Sequence, residues 1–291
     1  MTTFLVFGAA GQLGAELTKE ARRRNLVVHA ADRAAADIAD SDAIRRAIDS
    51  AAPAVIVNAA AYTGVDRAES ETELAFRANA TGPGVLAAIC AERKIPLLHM
   101  STDYVFDGRK TGPYVESDPV TPLGVYGRSK AQGETAVRAS LDRHVILRTS
   151  WVYGVHGANF LKTVLRLCRE RDTLRIVADQ RGCPTATADL ADALLAVVPR
   201  AARGEPIWGT YHFAGHGVTT WHGFAEEIVK AQAAFTRRSP VVIPITTAEY
   251  PTAAARPANS ELDSSRFAAV FGVTAAAWRD RTREVTAALL R

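Results

Sequence analysis

The sequence predicts an α/β fold, a doubly wound parallel sheet followed by a smaller C-terminal lobe, and three observations predict it. Apolar runs alternate with helical patterns through the first half of the 291 residues. Those runs are apolar throughout, the pattern of strands covered on both faces. The second half is less regular, with shorter apolar runs and more Pro and Gly. Length supports one such domain with an added lobe. The division expected is 1–150 for the sheet domain and 151–291 for the lobe, with one or two later elements returning to the sheet.

Each element follows from local pattern. Residues 3–7 are an apolar run that stops at a glycine, and 13–24 have helical periodicity. A second strand is expected at 26–31, a short helix at 42–50, and a third strand at 54–58. A long helix at 71–93 leads to a fourth strand at 96–101. Residues 126–141 are helical, and 144–150 form a fifth strand. Further helical patterns lie at 159–169, 187–198, 221–234 and 278–290.

Composition narrows the function. Apolar residues make up 48% of the chain and charged ones 23%, so a large core can be buried. The net charge of +4 is spread along the chain with no basic block, which disfavours a nucleic-acid surface and suits a cleft for a phosphorylated ligand. Cys90, Cys168 and Cys183 form no CxxC pair, so reduced thiols and a cytoplasmic location are expected. The N-terminal apolar stretch breaks at glycines and reads as a strand, not a signal peptide. No run reaches the ~20 apolar residues of a membrane span.

Gly8-Ala-Ala-Gly11-Gln12-Leu13-Gly14 directly follows the first strand and opens a helix. A pyrophosphate approaches backbone most closely where no Cβ intervenes, and the free N–H groups of a helix N-terminus stabilise its charge. Glycines also serve ordinary turns, but the strand before and the helix after make this a dinucleotide loop, and the fold Rossmann-type. Asp32 and Arg33 follow the second strand. An acid there binds the adenosine ribose of NADH, whereas an Arg pairs with the 2′-phosphate of NADPH. With both present, the choice between NADPH and NADH stays open.

Tyr126 and Lys130 stand four residues apart on a predicted helix, so both side chains emerge on one face. A nearby ammonium lowers the pKa of a phenol and fits it for proton transfer. The pair by itself is common on surface helices. Its position after the fourth strand, and Ser101-Thr102-Asp103 at that strand's carboxyl end, favour catalysis. Strand ends of this kind line the ligand crevice of an open α/β sheet.

Four motifs, Gly8-x-x-Gly11-Gln-Leu-Gly14, Asn58-Ala59-Ala60-Ala-Tyr62-Thr63-x-Val65-Asp66, Ser101-Thr-Asp-Tyr-Val-Phe-Asp-Gly108 and Tyr126-Gly-x-Ser-Lys130, resemble those of the extended short-chain dehydrogenase/reductases. Within them, the chain looks like the dTDP-4-dehydrorhamnose reductases. Later segments agree: Arg148-Thr-Ser-Trp151-Val-Tyr-Gly154, Asn159-Phe160, Asp179-Gln-x-Gly-x-Pro184-Thr185 and Arg256-Pro-x-Asn-Ser-x-Leu-Asp263.

The resemblance implies reduction of the C4 ketone of dTDP-4-dehydro-L-rhamnose by NADPH or NADH. Tyr126 would give the proton, Lys130 would hold the ribose and lower the Tyr126 pKa, and Thr102 would bind the same oxygen. Asp37, Ile38, Asn58, Ala59 and Ala60 would join the loop at the cofactor. Thr63, Val65, Asp103, Tyr104, Trp151, Asn159 and Arg256 would contact the nucleotide sugar. Trp151 reads equally as a core aromatic, and Arg256 as a loop ion pair. Some members dimerise around Mg²⁺ held by acids, one matching Glu16, with Asp189 and Glu284 as candidates for the others; Glu16 reads equally as a helix-surface carboxylate. The expected partner is a small nucleotide sugar, with no nucleic acid, no membrane, and a homodimer as an option. Rival readings are a sugar-nucleotide 4-epimerase that keeps its NAD, and a non-catalytic dinucleotide-binding regulatory subunit. A 4,6-dehydratase is disfavoured by Tyr104, where such enzymes place a Glu.

Overall fold

The computed structural model describes residues 2–291. A six-stranded parallel sheet is formed by β1 (Thr3–Phe7), β2 (Val27–Ala31), β3 (Val55–Asn58), β4 (Leu97–Thr102), β5 (His144–Thr149) and β6 (Gly209–His212). The strands lie in the order β6-β5-β4-β3-β1-β2, and every neighbouring pair is parallel. The helices are α1 (Gln12–Arg23), α2 (Ser41–Ala51), α3 (Gly82–Arg93), α4 (Val125–Ser140), α5 (Phe160–Glu170), α6 (Thr187–Ala202), α7 (Trp221–Thr236), α8 (Ser265–Phe271) and α9 (Trp278–Leu290).

Successive strand residues point to opposite faces, and here both faces are covered. Phe4, Val6, Val57, Leu98 and Leu147 pack with Leu13 and Leu17 of α1 and Leu190 and Leu194 of α6. Leu5, Phe7, Ile56, Leu97 and Ile146 pack with residues of α2, α3 and α4. That is why the strands read as unbroken apolar runs. β6, α6 and α8 come from the second half of the chain yet complete this layer, because β6 pairs with β5 and Phe267 and Phe271 of α8 enter the same core. A separate cluster of Tyr153, Leu161, Phe224, Ile228 and Trp278 holds α5, α7 and α9 together. Among the described residues no helix is long and apolar enough to cross a membrane.

The chain leaves β1 for β2 on one side and returns to β3 on the other. Strand order therefore reverses between β1 and β3, and a crevice opens at their carboxyl ends. One element differs from its expected form. The long helix at 71–93 is interrupted: Thr72–Phe76 is α-helical, Arg77–Thr81 is a π turn, and α3 follows. The turn sits where α4 crosses closely, since a Cβ at Gly133 of α4 would collide with the Asn79 carbonyl. π turns of this kind concentrate at functional sites.

A buried ion pair ties the sheet to α4. Arg148 on β5 donates to both oxygens of Glu134 at 2.8 and 2.7 Å, and Ser101 on β4 donates to Glu134 Oε1 at 2.6 Å. Arg138 reaches Glu134 Oε2 at 2.5 Å, and the Arg148 guanidinium lies 5.0 Å from the centre of the Phe106 ring. Glu134 and Arg148 are essentially inaccessible to water, so neither charge survives alone. Arg148→Met is expected to cost roughly 3–5 kcal/mol of stability, read as a lower urea midpoint. An unchanged midpoint would contradict this account of the pair.

Candidate active site

The glycine loop forms as the sequence predicts. Gly8 has φ +77°, and a Cβ there would lie 2.5 Å from the Ala60 amide nitrogen, so β1 and β3 can approach only through glycine. Gly14 is equally constrained by contact with the Gly8 carbonyl. Gly11 differs: a Cβ would meet only the Gly8 carbonyl at 3.2 Å. Gly11 is also the N-cap of α1 and supplies no side chain to it, so first-turn N–H groups stay open to an anion. Gly8, Gly11, Asp37, Ile38, Ala59 and Ala60 line part of a cavity of about 480 Å³ beside the loop. Leu13 is buried in the sheet core, so only its backbone can serve a ligand. Gln12 accepts from Asn159 Nδ2 at 3.0 Å, which joins the loop to the lobe. Asn58 is buried, accepting from the Ala60 N–H at 3.0 Å and bonding His99 Nδ1 at 3.0 Å.

The candidate proton-transfer groups gather at the carboxyl end of β4. Thr102 donates to Asp103 Oδ1 at 2.9 Å, and its oxygen accepts from the Tyr104 N–H at 3.2 Å. Asp103 is buried with Oδ2 unpartnered, and burial pushes its carboxyl up to about 6. The Tyr104 and Tyr126 rings meet edge to face, 5.5 Å apart. Lys130 is buried and donates to the Met100 carbonyl at 2.7 Å. Burial pushes its ammonium down to about 8, with Glu134 opposing.

One electrostatic expectation is overturned. The Tyr126 phenol is not lowered by Lys130; removal from water pushes it up to about 12, against the neighbouring Thr102 hydroxyl. Desolvation outweighs a cation that is itself buried and bonded to a backbone carbonyl. The phenol is therefore held protonated at neutral pH, the form that a proton donor needs.

Other expected contacts are occupied differently. Asn159 is the N-cap of α5: Oδ1 accepts from the Lys162 N–H at 3.0 Å, and Nδ2 donates to the Gly154 carbonyl at 2.9 Å as well as to Gln12. In this structure its side-chain atoms are engaged as a helix cap and as a tie to the glycine loop. Arg256 forms a two-pronged pair with Asp66 at 2.9 and 2.6 Å, the ion-pair alternative, and this holds the Asp66 carboxyl below its usual range. Asp32 does not line the cavity, and its Oδ1 accepts from the Ala35 N–H at 2.8 Å. Trp151 adopts φ +47°, rare for a bulky side chain, and stacks on Trp221 at 3.6 Å. Thr63 lines the cavity and Val65 starts the short helix that follows.

The residues do not fit a Mg²⁺ site. Glu16 pairs with Lys19 at 3.1 Å, and Arg281 bridges Asp189 at 2.8 Å and Glu284 at 2.5 Å. No cluster of three or more acid, His or Cys side chains suited to a metal occurs among the described residues. The side chains that would neutralise a cation are already neutralised by arginine and lysine. A nicotinamide dinucleotide, by contrast, fits the Cβ-free backbone at Gly8 and the uncapped end of α1.

Two contributors escaped the sequence reading. Asn79, in the π turn, accepts from the Tyr62 N–H at 2.8 Å and donates to the Tyr62 carbonyl and Ser129 Oγ, both at 3.0 Å. It locks the segment after β3 to the helix carrying Tyr126. A polar residue amid the apolar pattern of 71–93 was the available signal. Glu134 lies one turn beyond Lys130, and the sequence reading did not single it out.

The chain matches the family model described as RmlD substrate binding domain over residues 1–291. It is 43% identical to dTDP-4-dehydrorhamnose reductase of Aggregatibacter actinomycetemcomitans, with 99% of both chains covered. A dTDP-4-dehydrorhamnose reductase structure from Clostridium acetobutylicum superposes with a TM-score of 0.92 at 35% identity, covering 100% of both chains. One from Bacillus anthracis, in complex with NADP, has a TM-score of 0.91 at 32% identity, covering 99% of this chain and 100% of that one.

Because a Cβ at Gly11 would press only on the Gly8 carbonyl, at 3.2 Å, and Gly11 faces the open end of α1, Gly11→Val should fold yet lose dinucleotide binding. Fluorescence titration with NADPH, beside a thermal melt, checks both halves; unchanged affinity would refute the loop's role.

Proposed function

This chain belongs to the RmlD substrate binding domain family, and we infer that it reduces the C4 ketone of dTDP-4-dehydro-L-rhamnose, using NADPH or NADH, to give dTDP-L-rhamnose for cell-envelope polysaccharide. The observation that carries the reading is the placement of the Thr102 hydroxyl and the Tyr126 phenol together at the crevice end of β4, beside a dinucleotide loop. The full-length likeness to reductases at 43% identity favours reduction over epimerisation or a purely regulatory role. Three free, buried cysteines accord with a cytoplasmic setting.

The nicotinamide supplies a hydride to C4 when bound. Gly8, Gly11, the first-turn N–H groups of α1, Ala59 and Ala60 would hold the dinucleotide, and Lys130 its ribose. As charge develops on the C4 oxygen, Tyr126 gives it a proton. A phenol pushed up to about 12 remains a stronger acid than the alcohol it creates, so the transfer runs toward product. Thr102 directs its hydroxyl proton to Asp103 in this structure. Turned to the substrate, the same proton would stabilise the oxyanion, with Asp103 keeping the hydroxyl in place. Trp151 and Tyr104 form the aromatic part of the sugar side, with Thr63 and Val65 on the segment that Asn79 anchors.

The direct test is NADPH oxidation that requires dTDP-4-dehydro-L-rhamnose, run beside NADH; no sugar-dependent oxidation with either cofactor would sink the reading. Tyr126→Phe should cut kcat by about two to four orders of magnitude while dinucleotide still binds. Near-normal turnover in that variant would remove Tyr126 from the proton-donor role.

The pH profile separates the two members of the pair. Lys130 has its pKa lowered toward about 8, so it loses its charge as pH rises through that value. Tyr126 stays protonated until far higher pH. A fall in kcat/KM for NADPH is expected above about pH 8, with no acid-side loss attributable to Tyr126. A profile that stays flat to pH 10 would show that the Lys130 charge is not needed.

A further inference from the structure

Resting on the reading of the chain as a sugar-nucleotide reductase, we propose that Glu69 is a positioning residue of the reaction. From the segment that follows β3 it caps the helix carrying Tyr126, and so sets the distance between the bound sugar and its proton donor.

Helix α4 starts one residue before Tyr126. Its N-cap, Gly124, has no side chain to offer the first-turn N–H groups. The acceptor comes instead from far upstream in the chain: Glu69 Oε1 takes the Val125 N–H at 2.7 Å. A Cβ on Gly124 would lie 2.7 Å from that same oxygen. The carboxylate thus occupies the space in which a local capping side chain would begin.

Glu69 is held firmly at its own end. It follows the short helix Val65–Ala68, whose Asp66 accepts from the Arg256 guanidinium and from the Ala254 N–H at 3.1 Å. Tyr62, at the start of the segment, is fixed by Asn79. Ala68 is buried in one cluster with Val125, and the Tyr62 and Tyr126 rings pack against it. On the opposite side, a Cβ at Gly127 would collide with the Tyr104 carbonyl. The turn bearing Tyr126 is therefore wedged between the segment after β3 and the chain leaving β4.

A carboxylate at a helix N-terminus stabilises any helix, and capping alone would explain one contact. What exceeds capping is the use of a distant carboxylate where Ser or Asp at position 124 would serve the helix comparably. A local cap would leave the helix untied to the segment carrying Thr63 and Val65. Reacting groups must sit roughly 3–3.5 Å apart, and a misplacement of about 1 Å can cost on the order of a hundredfold in rate. Thr63 lines the cavity beside the glycine loop, whereas Glu69 lies outside that lining. Its effect should therefore fall on turnover and not on cofactor binding.

The tie and the cap separate when kcat with dTDP-4-dehydro-L-rhamnose, NADPH affinity and Tm are measured on three variants. Glu69→Ala should lower kcat about ten- to a hundredfold with NADPH affinity essentially unchanged. Glu69→Gln, whose amide oxygen still accepts the Val125 N–H, should recover most of the lost kcat. In Glu69→Ala/Gly124→Ser the new hydroxyl enters the space the carboxylate vacates and caps the helix locally. Tm should return toward that of the unaltered chain while kcat stays low, and this variant carries the comparison even if Glu69→Ala alone melts early. An unchanged kcat in Glu69→Ala, no recovery in Glu69→Gln, or a kcat that returns with Tm in the double variant would overturn the positioning role. Absence of sugar-dependent NADPH oxidation by the unaltered chain would instead overturn the reductase reading, and the positioning role with it.

Discussion

The close approach of β1 to β3 is the constraint on which the rest of this structure depends. At Gly8 the two strands part, and the backbone there lies so near Ala59 and Ala60 that a single Cβ would force them apart. The reversal of strand order at that point opens a crevice at the strands' carboxyl ends. The open end of α1, the Ala59–Ala60 backbone and the carboxyl end of β4 lie at the same edge of the parallel sheet. Cofactor and substrate machinery share one edge of the sheet for this reason.

Around that edge the protein uses buried polar contacts as rigid ties. Asn79 clamps the post-β3 segment to Ser129, and Glu134 collects Arg148, Arg138 and Ser101 from two strands and its own helix. Each tie is expensive to break, since the groups left behind would be buried and unpaired. Tyr126 and Lys130 stand on the helix that both ties grip. Their low solvent access drives both pKa shifts away from what a solvated Tyr–Lys pair would show: the phenol goes up and the ammonium down.

Directed polar contacts tie segments of the second half of the chain to the crevice end of the sheet. Asn159 links α5 to Gln12 on the glycine loop, and Arg256 reaches Asp66 on the segment after β3. Both residues had been expected at the nucleotide sugar. In this structure each ties two segments at the crevice wall together. Arginine and lysine likewise occupy the acids that a Mg²⁺ would need.

By itself, the sequence determined five of the six strands of the sheet, most of the long helices and the candidate chemistry-bearing residues. Those depend on local periodicity and on short motifs such as Gly8 to Gly14 and Tyr126 to Lys130, whose spacing sets geometry within one element. The tertiary structure alone decided what each polar group does. Whether Asn159 reaches Gln12 or Arg256 finds Asp66 depends on partners more than a hundred residues away. Whether a phenol is raised or lowered depends on how much water the fold removes from it. Pattern in a sequence reports neighbours along the chain; burial and pairing are properties of neighbours in space.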